Sequence, residues 1–312
     1  MIGKNAIIID LCYGVDISDT FPDMIANGAL DGAIFRVGEG LNNNTYPIDQ
    51  ITKQVQSCEN NHIPYALYYA IHPWYPAEAQ VDRFLNNLQG AYPAAYWLDF
   101  ELYGNETAQQ RSDLYHHAFT YLKSKLPENT VVGIYSGEWF IEEWAPQMKE
   151  WINEGPYWDA NYYPPFAPQS WDQFKAQVLT FYLPAYSAEY PTARMWQFSG
   201  DLKTPMVQNG KTKVDYSLIN TDQAPGLFEH LFKFQNYPPI NPWRIIPPQA
   251  YQVIADDLRV YTSTGDCFEL TDEILHAPQH IVVMKINDAG NWGEFKPDKW
   301  CNISPQNCQP ID

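Results

Sequence analysis

The chain has 312 residues, with 19 Lys and Arg against 37 Asp and Glu, for a formal net charge of -18. That charge argues against nucleic acid as a partner, because phosphate binding needs clustered Lys and Arg, and against electrostatic attachment to an anionic membrane. The sequence is 45% hydrophobic and 15% aromatic, with 11 Trp and 22 Tyr, which supplies a core and leaves rings over for stacking on the apolar faces of sugars.

From residue 6 to 233, short apolar runs alternate with longer amphipathic ones. The expected strands are Ala6–Asp10, Gly32–Val37, Tyr65–Tyr69, Ala95–Asp99, Val131–Tyr135, Tyr157–Asn161, Ala193–Phe198 and Val214–Asp215. Helices are expected over Ile51–Asn60, Ala77–Leu88, Ala108–Lys123 and Gly137–Lys149. This alternation predicts an α/β fold with a mostly parallel sheet. Eight strands with a helix-poor end point to a TIM-like (β/α) barrel, irregular in its last strands. An open doubly wound sheet usually carries a Gly-rich phosphate turn after its first strand, and none follows Asp10. The segment Tyr163–Tyr190 is long and is expected to form a lobe over the cleft.

Three parts follow from composition: a barrel over 1–233, a Pro-rich linker over 234–248 and a small all-β module over 249–312. The linker contains Pro238, Pro239, Pro242, Pro247 and Pro248, which disfavour helix. No run approaches the roughly 20 apolar residues that cross a bilayer, so membrane insertion is not expected. The apolar run Ala6–Ile9 is too short for a signal peptide. The expectation is either a mature form or a protein that leaves the cell by lysis or another route.

The five cysteines match no zinc spacing. Cys301 and Cys308 could close a small loop under oxidising conditions. His72, His116 and His117 show no ligand spacing, and Pro278 interrupts His276 and His280, so neither a metal nor another cofactor is expected.

The chemistry concentrates in Trp97-Leu98-Asp99-Phe100-Glu101. Alternation along a strand puts Asp99 and Glu101 on one face, about 6–7 Å apart. Repulsion and burial should raise one pKa and leave the other group ionised, the arrangement needed to cleave a glycosidic bond. Asp10 and Asp215 close the first and last expected strands, which are neighbours in a closed barrel, so four carboxylates should meet at one mouth. Arg36 is expected to balance them from inside. Strand-end residues Tyr69, Tyr135, Asn161, Trp196, Gln197 and Arg36, with the adjacent Tyr162, are candidates for binding substrate.

In this order the motifs resemble glycoside hydrolase family 25, the Chalaropsis-type lysozymes. Ile8-Ile9-Asp10 resembles the opening Asp strand, Ala33–Gly40 the second strand with its Glu-Gly, and Trp97–Glu101 the Asp-x-Glu signature. Gly133–Ser136, Trp196–Ser199 and Val214-Asp215 resemble the later strands. The resemblance implies a muramidase acting on bacterial cell-wall peptidoglycan, with Glu101 as general acid, Asp99 assisting, and Asp10 and Asp215 shaping the field. Cys12 stands where the family usually has a small hydroxyl residue, and Asp16 is an alternative to Asp10 as the opening acid. The tail faintly resembles bacterial Src-homology-3-like wall-binding modules. Two rival functions are a catalytically silent glycan-binding barrel and a glycosidase for another N-acetylhexosamine polymer such as chitin. The oligomeric state is not readable from these features.

Overall fold

A computed structural model of the chain describes residues 5–12, 17–41, 48–88, 91, 93–162, 166–183, 189–191, 194–210 and 212–232, together with the main chain of strands between 243 and 310. The chain divides into two compact units, Met1–Tyr237 and Pro238–Asp312.

The first unit is a closed eight-stranded barrel in sequential order. Its strands are β1 (Asn5–Leu11), β2 (Gly32–Glu39), β3 (Tyr65–Ala70), β4 (Ala95–Asp99), β5 (Val131–Ser136), β6 (Tyr157–Ala160), β7 (Arg194–Lys203) and β8 (Lys213–Asn220). Pairing is parallel from β1 through β7. Strand β8 runs antiparallel to both β7 and β1. The early strands are buried along their whole length, which is why they read as unbroken apolar runs. One face of each looks into the lumen and the other meets the helices.

The lumen set includes Ala6 and Ile8, Ile34, Ala66 and Tyr68, Ala95 and Trp97, Tyr135, Trp158 and Met195. Residues of the opposite parity pack outward. Tyr69 stacks on Phe84 of α1 (Ala77–Asn86), and Phe100 stacks on Tyr115 of α2 (Ala108–Lys125). Trp97, Tyr68 and Tyr135 each contact Trp158, with centroids 5.7, 5.8 and 4.4 Å away. These four rings fill the lumen. Gly133 pairs with Trp97 across β4 and β5, and a Cβ there would lie 2.3 Å from the indole.

Helix α2 starts at a reciprocal cap: the Gln110 N–H donates to Thr107 Oγ1 and the Thr107 N–H to Gln110 Oε1. The helix expected over Gly137–Lys149 is shorter. It runs Glu138–Trp144 and gives way to a 3₁₀ turn at Pro146–Glu150, because Pro146 has no N–H to continue the ladder and its ring disfavours α geometry at Ala145. The lobe expected over the cleft is also corrected in its described part. Helix Trp171–Val178 packs outside the barrel, with Phe174 against Tyr216 of β8, and Phe166 and Phe181 against Phe198 of β7. Its aromatic rings need an apolar partner, and the outer faces of β7 and β8 supply one.

The second unit is a seven-stranded antiparallel sheet. Its first strand, Trp243–Val253, begins inside the expected linker. Ile245 pairs with Lys285 and Gln249 with Val283, so Pro247 and Pro248 fall in a bulge, where a residue lacking an N–H costs no ladder bond. Cys301 and Cys308 lie on strands that are not neighbours in the sheet; their side chains lie outside the described ones, as does Asp16.

The Trp97–Gly133 contact leads to an expected outcome. Gly133→Ala should lower stability by about 1–3 kcal/mol, the usual range for overpacking a filled core. Urea unfolding followed by Trp fluorescence would measure it, and an unchanged midpoint would show that the Trp97 ring can move aside.

Candidate active site

The rim at the C-terminal ends of β1–β7 gathers the acids. Asp10, on β1, lies directly opposite Asp215 of β8. Asp215 comes near the start of β8, not at its end as the shorter expected strand implied. The antiparallel direction of β8 turns that starting end to the same rim. Asp99 closes β4, between Ala70 of β3 and Tyr135 of β5. Glu101 lies two residues beyond. The strand path continues through Phe100, whose N–H donates to the Tyr135 carbonyl at 2.9 Å and whose carbonyl accepts from Ser136 Oγ at 2.7 Å. This keeps Glu101 on the Asp99 face.

Asp10 and Asp99 are buried, and each has one carboxylate oxygen, Oδ1, with no hydrogen-bond partner among the described residues. Unpaired buried acceptors are costly, so such a pair marks a place where a polar group is to be received. The electrostatics agree. Burial, with the Asp99 charge added, pushes Glu101 up to about 8. Burial pushes Asp99 up to about 6, against the lowering effect of Arg36. Asp215 is likewise raised by burial to about 6, although the Asp201 N–H donates to it. Asp10 is raised well above the carboxylate range by burial and by Asp215 and Asp99. The four titrate as a group.

The other candidates separate by strand parity. Tyr135 and Gln197 face the cluster: the Tyr135 hydroxyl donates to Gln197 Oε1 at 2.8 Å, and Gln197 Nε2 donates to Asp10 Oδ2 at 2.8 Å. Tyr162, well exposed, donates to the same Gln197 Oε1 at 3.1 Å. Arg36 pairs with Glu39 at the rim and lies over the Tyr68 ring. Tyr69 does not reach the cluster; its ring is held by Phe84 and its hydroxyl donates to the Gly40 carbonyl. Trp196 is buried against Phe181 and Phe198, its Nε1 donating to the Asn161 carbonyl. Asn161 takes part through its main chain, its N–H donating to the Gln197 carbonyl. Tyr68, absent from the expected set, lies inside the lumen, and the charges of Asp10 and Asp99 act on it. Counting by two back from Asp99's register partner Ala70 would have selected it in place of Tyr69. Cys12, half-buried, borders Asp215 and Asp10, whose charges act on its thiol.

No protein-family model matches the chain, and no curated protein matches it in sequence. Solved structures do match. A bacterial lysozyme from Streptomyces coelicolor aligns at 17% identity over 74% of this chain and 98% of its own, with a TM-score of 0.53. The barrel shares its fold with lysozymes. The Clostridium perfringens spore cortex lytic enzyme SleM aligns at 15% identity over 90% of this chain and 87% of its own, TM-score 0.52. A muramidase from Trichobolus zukalii aligns at 16% identity over 74% and 100%, TM-score 0.50. These likenesses establish the TIM-like barrel predicted from the strand and helix alternation.

In this lysozyme-like barrel the upward shift of Glu101 has a thermodynamic consequence. Its folded value of about 8 exceeds the ordinary 4.5. The folded state therefore binds more protons between those values, and the contribution of this group to stability is lost as pH rises through them. Glu101→Gln is neutral throughout, so it should raise the Tm at pH 8 by a few degrees, with the gain shrinking toward pH 4.5. Calorimetry at the two pH values checks this, and an equal Tm at pH 8 would place Glu101 in bulk water.

Proposed function

We propose that the barrel is a muramidase, hydrolysing the β-1,4 bond between N-acetylmuramic acid and N-acetylglucosamine in peptidoglycan. The observation that carries this reading is the four-carboxyl rim in which Glu101 holds its proton at neutral pH beside Asp99. A glycosidase needs such a pair: an acid to protonate the leaving oxygen and negative charge beside the oxocarbenium-like carbon. Glu101 is the acid. Asp99 and Asp215, raised only to about 6, are mostly ionised at pH 7 and stabilise the developing positive charge. Asp10, fixed by Gln197, orients the sugar.

Tyr135 accommodates both states of the acid. Its hydroxyl is within hydrogen-bond reach of Glu101 as well as Gln197. While Glu101 is protonated, the acid donates to the Tyr135 oxygen and the phenol proton goes to Gln197. Once Glu101 has given its proton to the leaving group, the phenol proton turns to the new carboxylate, and Tyr162 still serves Gln197 Oε1. The acid thus loses its proton without leaving a buried charge unpaired.

All four carboxylates belong to the first unit. The second unit is assigned to attachment at the wall. The substrate places the working protein outside the cytoplasm, by secretion or after host lysis, and among the described residues no helix is long and apolar enough to cross a membrane.

Glu101→Gln should reduce turnover by about 10²–10⁴-fold, the range for a general acid, while saccharide binding is retained. Mass spectrometry of digested peptidoglycan should find N-acetylmuramic acid at the new reducing ends. N-acetylglucosamine there, or release from chitin alone, would change the bond assigned. No release from any polymer would leave a silent glycan-binding barrel.

The pH profile follows from the same shifts. Activity should fall above about pH 8 as Glu101 loses its proton, and below about pH 6 as Asp99 and Asp215 gain theirs. A rate still rising at pH 9 would remove Glu101 from the acid's role.

A further inference from the structure

Beyond the acid cluster, toward β3 and β4, the rim carries a second group of residues that the cleavage step does not use. His72 follows β3. Its imidazole is 6% exposed, and neither ring nitrogen has a hydrogen-bond partner among the described residues. Its main chain is held rigidly, because Gln80 accepts from the His72 N–H at 2.8 Å and donates to the His72 carbonyl at 2.9 Å. Trp74 lies against the imidazole, centroids 4.7 Å apart, yet is 50% exposed. The Trp74 ring also closes on Gly104, where a Cβ would come within 3.1 Å of it. Next to Gly104, Tyr103 is 50% exposed and stacks parallel on Trp144 at 3.7 Å.

This second stack is built, not incidental. Arg111, almost wholly buried, donates to the Trp144 carbonyl and to Glu106 Oε1, and Glu106 in turn accepts from the Gly104 N–H at 2.8 Å. Tyr115 donates to the Leu102 carbonyl. The loop from Glu101 to Thr107 is therefore held at Leu102, Gly104 and Glu106, and its exposed ring is ordered before any ligand arrives. Ordering a ring in advance removes an entropy cost from binding.

We propose that Trp74, backed by His72, and the Tyr103–Trp144 stack form an additional saccharide subsite, which takes an N-acetylhexosamine residue of the glycan remote from the scissile bond. The proposal rests on the muramidase reading for the identity of the polymer. Flat half-exposed rings suit the C–H face of a pyranose, and the buried imidazole of His72 backs the Trp74 ring and sets its place at the surface. Continuity favours a saccharide as the occupant: Tyr103 is two residues from Glu101, and the charges of Arg36 and Glu39 act both on His72 and on Asp99. Burial of His72 favours its neutral form.

The test compares two saccharides, a disaccharide and a hexasaccharide of alternating N-acetylglucosamine and N-acetylmuramic acid. Binding is measured by calorimetry at 4 °C in the Glu101→Gln background, and hydrolysis with Glu101 present. Trp74→Ala and Tyr103→Ala, both at exposed positions, should each weaken the hexasaccharide about tenfold while leaving the disaccharide unchanged. His72→Phe keeps a ring behind Trp74, and should leave hexasaccharide affinity within about twofold of the parent. With Glu101 present, the Trp74 and Tyr103 variants should raise KM on the polymer and retain kcat. Equal hexasaccharide affinity in the parent and in the Trp74 and Tyr103 variants would overturn the subsite and leave the muramidase reading intact. Hexasaccharide binding that depends on Trp74, in a protein with Glu101 that never cleaves, would keep the subsite and overturn the muramidase reading.

Discussion

The structure turns on four carboxyl groups confined to one water-poor rim. Asp10 faces Asp215 across the β1–β8 seam, Asp99 closes β4, and Glu101 extends from it. Arg36 is the cation whose field reaches Asp10, Asp99 and Glu101, and it is itself engaged by Glu39. With too little positive charge to neutralise them all, the group keeps protons that free carboxylic acids would release. The desolvation that makes the cluster costly to fold is also what keeps Glu101 an acid at neutral pH, so stability and chemistry draw on the same interaction in opposite senses.

The barrel makes that confinement possible. The six parallel pairings from β1 to β7 bring strand ends to the rim. Here β8 reverses direction, so a residue near its start completes the site. Below the acids, Trp97, Tyr68, Tyr135 and Trp158 fill the lumen, lowering its polarity and closing it to solvent. The space for Trp97 exists because Gly133 has no side chain. Packing beneath the site and pKa values within it are therefore one problem: a looser floor would admit water and return the carboxyls toward their ordinary values.

Parity explains which candidate residues were legible. Asp99 and Glu101 were placed together because an alternation of two holds over a short strand whatever the fold. Gln197 and Tyr135 obey the same count, and they join the hydrogen-bond path that ends on Asp10. Tyr69 and Trp196 were chosen for lying at strand ends without regard to parity, and both point outward into aromatic packing. Tyr68, one residue from Tyr69, carries the lumen position. The long segment before β7 has no alternation to read, and its helix went to the outer barrel wall because Phe166, Phe174 and Phe181 required apolar neighbours.

By itself the sequence determined the alternation of strand and helix, the barrel that alternation closes into, and the presence of an Asp-x-Glu pair on one face. These are local properties, set by side-chain period and by burial on two faces of each strand. Tertiary structure alone decided the direction of β8, the hydrogen-bond path through Gln197, and the juxtaposition of His72 and Trp74 with Tyr103 and Trp144. Each of those depends on register between segments distant in the chain, and register is settled by how side chains fill a shared space, which no single segment encodes.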